Sequence, residues 1–316
     1  MLAIGIDIGG TSIKGAAIYD DGRMLDVFSL PVVKGEPGVE TIKKLIDLVA
    51  GYISYQGIGD EIVGIGIGIP GLLDVKKGII VMSNNLNWED IPIADMFKKR
   101  LPYPVRIAND ANVAAFGEAM FGAGKGVPYV IMLTLGTGVG GGIVLDGELY
   151  EGNNGQGAEL GHTVVQYGGR QCTCQRKGCL ETYASATAII ADTKAAMAEH
   201  PESLMHKVAE EFGKVDGRVA FKAARQGDLV ALGVVEQYIY YLCEGLLNYC
   251  NIFRPNVIIL SGGIANEGDY LFDKINAYLP KERYGYPRSP AVKVVPAKLG
   301  YDSGKIGAAA LFFKHE

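Results

Sequence analysis

A carboxylate lies where an extended segment of the chain turns into a helix. Residues 104–112 read PVRIANDAN, and helical spacing continues over Asn112–Phe121. A side chain at such a junction projects into a cleft, so Asp110 can act as a general base towards an alcohol and Asn109 can bind a neighbouring hydroxyl. The alternative is that Asp110 only caps the helix, because aspartate is a preferred N-cap residue.

A polar set follows in the segments AELGH and CLETYAS. Its members are Glu159, Gly161, His162 and Glu181. Ionised carboxylates accept strong, charge-assisted hydrogen bonds, which suits the vicinal hydroxyls of a sugar. The set therefore predicts sugar recognition. Glu181 has a second interpretation, as an ordinary acidic residue in the first turn of a helix.

One imidazole and three thiols lie in the string GHTVVQYGGRQCTCQRKGCLE. They belong to His162, Cys172, Cys174 and Cys179. Together they form a complete tetrahedral set for Zn²⁺ with no open position, which is typical of a structural site. Zinc bound there would orient Glu159 and Glu181 and would not polarise a substrate. The spacing differs from that of a zinc finger, and the alternative is a set of unligated structural cysteines.

Three glycine-rich turns have the chemistry of nucleotide binding. They are DIGGT (Asp7–Thr11), LGTGVGGG (135–142) and LSGGIAN (Leu260–Asn266). Glycine lets backbone N–H groups approach phosphate oxygens, and threonine adds a hydroxyl. The predicted nucleotide-binding residues are Asp7, Gly9, Gly10, Thr11, Lys14, Gly136, Thr137, Gly138, Gly262 and Gly263. Asp7 would lie near the Mg²⁺ of a nucleotide, and Lys14 would neutralise phosphate charge. Ordinary hairpin turns also use glycine, which is the alternative.

Two matches to the dinucleotide pattern GxGxxG, at Gly66–Gly71 and Gly136–Gly141, do not indicate NAD binding. That fingerprint needs a helix directly after the glycines, whereas strand residues follow both matches here. The segment GAGKG at 122–126 lacks the spacing of a P-loop.

The elements that must position these residues alternate between short β-branched strands and longer helical segments, which is the α/β pattern. The predicted strands are Ala3–Ile8, Gly15–Tyr19, Ile62–Ile69, Val130–Leu135, Gly142–Leu145 and Val257–Leu260. The predicted helices are Gly38–Tyr52, Asn112–Phe121, Glu181–Ala198 and Leu229–Phe253. Stretches 3–22 and 130–147 both run strand, glycine-rich turn, strand and Asp-Gly turn, which indicates a duplicated fold unless the similarity is chance.

Length predicts two domains that share a cleft, and composition fits a globular protein with a sizeable hydrophobic core. The chain has 316 residues, of which 48% are hydrophobic and 21% charged. A net charge of -5 without a basic stripe argues against nucleic acid as a partner. The start, MLAIGIDIGG, lacks the basic region of a signal peptide, and no apolar run is long enough to cross a bilayer. We expect a soluble cytoplasmic protein that binds neither nucleic acid nor membrane.

In its motifs the chain resembles the ROK (repressor, ORF, kinase) family of sugar kinases over nearly its whole length. The motifs, in family order, are DIGGTSIK, GIGIPG, NDAN, LTLGTGVGGG, ELGH, CTCQRKGCLE and LSGGIA. The resemblance implies an actin-like ATPase (ribonuclease H-like) fold with two domains around a cleft. It implies a smaller domain of residues 1–118 with a C-terminal helix at 300–316, a larger domain of residues 119–299, and homodimerisation.

The resemblance also implies residue roles. Asp110 matches the family's catalytic base. The residues that match its sugar-binding positions are Gly71, Asn109, Glu159, His162 and Glu181, and those that match its zinc ligands are His162, Cys172, Cys174 and Cys179. Turns at Gly9–Thr11 and Gly136–Gly138 match its phosphate loops, and Gly262–Gly263 matches the turn beside the nucleoside.

The chain departs from the family pattern at three places. Gln175 stands where glycine is common, Gly157-Ala158 replaces Ala-Gly, and Lys305 stands where an apolar residue is usual. The first affects loop backbone freedom and the last affects helix packing. Because the chain begins at the first phosphate strand, we do not expect the DNA-binding domain of the family's repressors.

We therefore predict an ATP-dependent, glucokinase-like enzyme that uses Mg²⁺ and a structural Zn²⁺ and phosphorylates the 6-hydroxyl of glucose. Kinases of N-acetylmannosamine, N-acetylglucosamine and fructose share the motifs and remain alternatives. A catalytically silent sugar-sensing protein of the same fold is the alternative outside the enzymes.

Overall fold

The computed structural model describes residues 1–313, and the chain divides into two compact units. The first unit comprises Met1–Pro128, Gly142–Ala158 and the segment from Lys298; the second comprises Tyr129–Gly141 and Glu159–Ala297. The predicted domain ranges assign residues 119–128, 142–158 and 298–299 differently and remain a prediction. The last three residues of the helix predicted at 300–316 lie outside the described residues.

The first unit is built on an open sheet. Its strands are β1 (Leu2–Ile8), β2 (Ser12–Tyr19), β3 (Phe28–Pro31), β4 (Ile62–Ile69), β5 (Leu72–Asp74), β6 (Ile79–Ser83), β7 (Trp88–Ile91) and β8 (Val105–Asn109). The main sheet has the order β3-β2-β1-β4-β8, and β5, β6 and β7 form a small antiparallel sheet. Strand β4 is parallel to both β1 and β8, so the carboxyl ends of β1, β4 and β8 share one edge.

The described residues of the first unit contain four α-helices. They are α1 (Gly38–Gln56), α2 (Ile93–Lys98), α3 (Asp110–Phe121) and α10 (Ser303–Ala310). Helix α1 ends where Gly57 adopts a left-handed conformation and its N–H bonds to the carbonyls of Ile53 and Ser54. Its buried face includes Ile42, Leu45 and Val49 and joins the core formed by the isoleucines of β1 and β4.

The sequence of β4, IVGIGIGI, sorts its two faces by residue size, since alternate side chains of a strand point to opposite faces. The isoleucines fill the core on the α1 side. On the other face a Cβ at Gly66 would lie 1.8 Å from the carbonyl oxygen of Ala308 in α10, and one at Gly68 would lie 2.5 Å from Val113 in α3. The glycines of GIGIPG therefore let two helices contact the sheet directly, which is a packing role and not dinucleotide binding.

The second unit contains a parallel set of strands and most of the helices. Its elements are β9 (Val130–Leu135), α4 (Glu181–Ala184), α5 (Ala186–Glu199), α6 (Met205–Phe212), α7 (Arg218–Arg225), α8 (Leu229–Phe253), β12 (Val257–Ser261), α9 (Asp269–Glu282) and β13 (Lys293–Pro296). Strand β12 is parallel to β9 and to β13. Helix α8 begins at the N-cap Asp228, whose carboxylate accepts a hydrogen bond from the N–H of Ala231.

The predicted duplication is confirmed by strand order. Strand β10 (Val139–Leu145) has its first three residues in the second unit and the rest in the first, where it pairs with β11 (Glu148–Tyr150). The second five-stranded sheet runs β11-β10-β9-β12-β13, which repeats the connectivity of β3-β2-β1-β4-β8. In each of these two sheets the strands β1 and β2, or β9 and β10, are neighbours that a glycine-rich turn connects.

Most predicted elements are present, and one prediction is wrong. The single helix predicted over Glu181–Ala198 is broken at Ser185, which is extended and caps α5 through a hydrogen bond from the N–H of Ala188. Serine is a strong N-cap residue, and this capping bond competes with helix continuation. Among the described helices none combines the length and the apolar character needed to span a bilayer.

Candidate active site

Asp110 lies at the carboxyl edge of the first sheet, as the first residue of α3. The parallel register aligns Ile69 with Asn109 and Asp7 with Gly68, so the ends of three neighbouring strands bring Asp7 and Asp110 to the same edge. Burial raises the pKa of Asp110 above its ordinary value. A carboxyl group with a raised pKa is a stronger base once it is ionised.

The helix cap is Asn109, and the alternative that Asp110 caps α3 is wrong. The Oδ1 atom of Asn109 accepts hydrogen bonds from the N–H groups of Ala111 at 2.9 Å and Asn112 at 3.3 Å. Asp110 follows the cap, and its Oδ1 lies 2.9 Å from the N of Ala111. The cap residue Asn109 therefore directly precedes Asp110 and fixes the start of the helix, so that the Asp110 carboxylate stays at the strand end.

Asp7 is the second carboxylate of this edge. Burial, followed by the charge of Asp110, raises its pKa to about 6, and the charges of Lys305 and Lys14 act in the opposite direction. Lys14 is the cross-strand partner of Asp7 in the β1–β2 hairpin. A pair of carboxylates with nearby cations is a suitable environment for a divalent cation and an anionic phosphate chain, since hard cations prefer carboxylate oxygens.

The first glycine-rich turn joins β1 to β2. The N–H of Gly9 donates to the carbonyl oxygen of Ser12 at 3.0 Å, and the carbonyl of Thr11 accepts from the N–H of Val32. Gly10 and Thr11 are exposed, and a Cβ at Gly10 would have no neighbour within 4 Å. The tip of the turn is thus open to a ligand.

Gly71 follows β4 with a φ of +120°, a conformation that only glycine adopts readily. A Cβ there would lie 2.3 Å from the carbonyl oxygen of Met82. Next to it is Ser83, whose buried Oγ has no hydrogen-bond partner in the described part of the chain, as is also true of the Nδ2 of Asn112. Buried polar atoms without partners are rare in folded proteins and mark sites for a ligand or water. The sequence analysis did not predict Ser83 or Asn112 as site residues. For Ser83, its position at the end of a strand was the only sequence feature that could have indicated it.

In the second unit the turn Gly136–Gly138 is fixed by the segment that carries Glu181. The carbonyl of Gly136 accepts from the N–H of Ala186 at 2.8 Å, and the carbonyl of Thr137 accepts from the hydroxyl of Thr187 at 2.7 Å. The Oε2 atom of Glu181 accepts from the N–H of Val139 at 3.0 Å. Glu181 is thus an acidic residue in the first turn of α4, which was the alternative to sugar binding. Its carboxylate also holds Val139, the first residue of the strand after the turn Gly136–Gly138.

The turn at Gly262–Gly263 lies beside the turn Gly136–Gly138. Strand β12 pairs with β9, aligning Ser261 with Thr134, and Gly262 has a φ of +89°. A Cβ at Gly262 would lie 2.5 Å from the carbonyl oxygen of Leu135, the residue before Gly136. The two turns predicted to bind nucleotide in this unit are therefore adjacent.

Glu159 and His162 lie at either end of a short 3-10 turn, in which the N–H of His162 donates to the carbonyl of Glu159 at 3.1 Å. This turn is anchored to α8, because the hydroxyl of Tyr249 donates to the carbonyl of Leu160 at 2.6 Å. The hydroxyl of Thr163 lies 2.8 Å from that of Tyr249. Through this hydrogen bond the long helix α8 holds the turn that carries Glu159 and His162, the two predicted sugar-binding residues.

The four predicted metal ligands converge. The ligand atoms of His162, Cys172, Cys174 and Cys179 all lie within 4.8 Å of one another. The Sγ atoms of Cys174 and Cys179 are 3.6 Å apart, as are the Nδ1 of His162 and the Sγ of Cys172. With Zn–S bonds of about 2.3 Å and tetrahedral angles, sulfur atoms are separated by roughly 3.8 Å, so the donor set fits zinc.

The metal-ligand cluster adjoins Glu181. The hydroxyl of Thr173 donates to its Oε1 at 3.4 Å, and the Sγ of Cys172 lies 3.9 Å from the same atom. Arg170 secures the loop by pairing with Asp192 at 2.7 Å and donating to the carbonyl of Thr182. The sequence motif did not indicate the contribution of Arg170.

Two of the departures from the family pattern occur at strained backbone positions. Gln175 has a φ of +70° and Ala158 a φ of +63°. Residues with a Cβ adopt this region at an energetic cost, whereas glycine does so freely. The third, Lys305, is buried in α10 and donates to Asp302.

The sequence profile of the ROK family matches residues 3–315, and the chain belongs to that family. It is 36% identical to the glucokinase of Halalkalibacterium halodurans, over 99% of this chain and 95% of that protein. It is 37% identical to the glucokinase of Thermotoga maritima, over 98% and 96% of the two chains. The crystal structure of a ROK family glucokinase from Streptomyces griseus in complex with glucose and AMPPNP superposes with a TM-score of 0.78, at 33% identity, over 98% of this chain and 99% of that one. The fold is the actin-like ATPase fold of these kinases, as predicted.

Proposed function

We propose that this chain is an ATP-dependent hexokinase that transfers the γ-phosphoryl group of ATP to the 6-hydroxyl of glucose. The observation that carries the proposal is the half-buried carboxylate of Asp110, placed near Asp7 at the carboxyl edge of the first sheet. The glucokinases to which the chain is similar over nearly its whole length support glucose as the acceptor.

Asp110 acts as the general base in this proposal. Its carboxylate takes the proton of the 6-hydroxyl while that oxygen forms a bond to the γ-phosphorus and the bond from phosphorus to the ADP oxygen breaks. Because burial raises its pKa, proton transfer is better matched to neutral pH than for an exposed aspartate. Most of the catalysis in phosphoryl transfer is positioning and charge stabilisation, to which the base adds its own factor.

The nucleotide is bound by the glycine-rich turns. Backbone N–H groups of Gly9–Thr11 and Gly136–Gly138 donate to phosphate oxygens, Lys14 neutralises phosphate charge, and Gly262–Gly263 lies beside the nucleoside. Asp7 would hold Mg²⁺, directly or through water, and the ion would supply neutralisation of the phosphate charge.

Glucose is held by hydroxyl contacts with Gly71, Asn109, Glu159, His162 and Glu181. Asn109 uses Oδ1 for capping, so we propose that its amide N–H₂ donates to the sugar. His162, Cys172, Cys174 and Cys179 would hold Zn²⁺, which has a structural role because the four ligands leave no open position. We also propose, from the family resemblance, a homodimer; sedimentation velocity showing only monomer at micromolar concentration would refute it.

The decisive experiment measures ADP release with a panel of hexoses for the wild-type protein and Asp110→Asn. Loss of the base should lower kcat by about 10²–10⁴-fold while glucose still binds, because the amide keeps the shape of the side chain. Binding is measured separately by calorimetry. The matched control is Asp47→Asn, an exposed aspartate of α1 whose ion pair with Arg100 is solvated, and we expect wild-type kinetics.

The outcomes separate the alternatives. A higher kcat/KM for N-acetylmannosamine, N-acetylglucosamine or fructose than for glucose would show that this other sugar is the acceptor, and the proposed mechanism would still hold. Sugar binding without ADP release in the wild type would identify a sugar sensor. An Asp110→Asn variant within tenfold of the wild-type kcat would remove Asp110 as the base.

A further inference from the structure

Lys305 is a buried cation beside the carboxylates of the first unit. Its side chain is 2% exposed, on α10 near the helix start. The first turn of α10 lies against the end of β1: a Cβ at Gly304 would lie 2.8 Å from the Cγ of Asp7, and one at Gly5 would lie 1.9 Å from the carbonyl oxygen of Lys305. The segment that carries the cation is therefore in direct contact with Asp7.

The hydrogen bond of Lys305 does not by itself explain its burial. Its Nζ donates to Oδ1 of Asp302, whose side chain is 48% exposed and thus well solvated. An ammonium group loses much hydration free energy on burial and needs nearby negative charge to offset the loss. The carboxylate of Asp7 supplies such charge, since it lies against the first turn of α10, with its Oδ2 atom 2.8 Å from where a Cβ at Gly304 would be.

We propose that Lys305 is the internal counter-cation of the Asp7 carboxylate, stabilising the ionised carboxylate in the protein that has neither nucleotide nor divalent cation bound. The charged groups near Asp7 are the carboxylate of Asp110 and the cations Lys305 and Lys14, and Lys14 is exposed, so that solvent and salt screen it. Lys305 is shielded from both. This proposal concerns the stability of the unliganded protein and does not depend on the kinase activity proposed above.

A double-mutant cycle tests the proposal by thermal melting at pH 8, without added Mg²⁺ or nucleotide. We expect Lys305→Met, which keeps the chain length but removes the charge, to lower the melting temperature in the wild-type background. In the Asp7→Asn background the same substitution should lower it by less than half as much, because one carboxylate that needs compensation is gone. Asp302→Asn is the control and should shift melting little, because Asp302 is exposed.

Equal shifts from Lys305→Met in both backgrounds would mean that Lys305 acts only by packing, and would overturn the proposal. If Lys305→Met alone does not fold, recovery of folded protein in the double variant with Asp7→Asn supports the proposal, and failure to recover it overturns the proposal.

A second measurement uses Mg²⁺ alone as a probe of the missing charge. Excess MgCl₂ should raise the melting temperature of Lys305→Met more than that of the wild type, because a divalent cation at Asp7 replaces the absent ammonium group. KCl at the same ionic strength is the control and should affect the two proteins equally. A Mg²⁺ effect of the same size in both proteins would contradict the proposal.

Discussion

At the residue scale, the protein keeps several acidic side chains in surroundings that disfavour their charge. Asp7 and Asp110 are two of them, and both lie at the carboxyl edge of the first sheet. Glu151 is a third: its Oε1 is buried without a hydrogen-bond partner among the described residues, and burial raises its pKa to about 7. No motif indicated Glu151, because burial of a single glutamate depends on neighbours distant in sequence.

The raised pKa of Glu151 predicts that the stability of the folded protein depends on pH. Its pKa is raised from 4.5 to about 7 on folding. Its contribution to the free energy of unfolding is therefore fully present below pH 4.5 and is lost as the pH rises through about 7. The loss is about 3 kcal/mol at most. Glu151→Gln mimics the neutral form, so the variant should gain stability relative to the wild type between pH 5 and pH 8, as measured by urea unfolding at each pH. Glu148→Gln, an exposed neighbour, should track the wild type; identical pH profiles for all three proteins would refute the assignment.

At the element scale, the loop of residues 162–181 connects the proposed metal site, the proposed sugar site and the proposed phosphate turn at Gly136–Gly138. Glu181 contacts Cys172 on one side and Val139 on the other. The phosphate turn has further bonds from Ala186 and Thr187, which do not involve the loop. A change in the conformation of the loop should therefore weaken sugar binding more than nucleotide binding.

The prediction at this scale concerns loss of the metal. Cys179→Ser should release zinc, shown by metal analysis under reducing conditions, and raise the KM for glucose several-fold more than the KM for ATP. The control is Gln175→Gly, which keeps all four ligands; it should retain zinc and gain about 1 kcal/mol of stability, because glycine relieves a positive φ. Wild-type protein purified without zinc would contradict the metal assignment, and equal changes in both KM values would contradict the coupling.

At the scale of the whole chain, the C-terminal helix completes the first unit, whose sheet is formed near the other end of the sequence. Helix α10 packs on β1, β4 and α3 at distances that only glycine permits. A Cβ at Gly307 would lie 1.7 Å from the carbonyl of Val113, and one at Gly66 would lie 1.8 Å from the carbonyl of Ala308. Backbone atoms are the obstacles there, so no side chain can move aside to make room.

Gly66→Ala should therefore destabilise the protein by about 2–3 kcal/mol, as an overpacked core does. Gly51→Ala is the matched control: Gly51 is in the middle of α1, a Cβ there would have no neighbour within 4 Å, and alanine should stabilise the helix by about 0.5–1 kcal/mol. Urea unfolding measures both. Equal effects of the two substitutions would show that α10 does not press on β4.

The sequence by itself determined the family, the α/β class, the duplication and the four candidate metal ligands that converge in the structure, because these depend on local residue types, spacing and motif order. It also located α8 at Leu229–Phe253 and β4 at Ile62–Ile69, where the hydrophobic pattern is long and uninterrupted. The roles of Asp110 and of the sugar and nucleotide residues stay predictions.

The tertiary structure alone decided which neighbours each of these residues has. It assigned the cap of α3 to Asn109, ended α4 at Ser185, tied Glu181 to Val139, and placed Gly304 of α10 against Asp7. The physical reason is that burial and charge interaction are set by distances between segments far apart in the chain. Asp7 and Gly304 are separated by nearly the whole sequence, and no local pattern indicates that they are in contact.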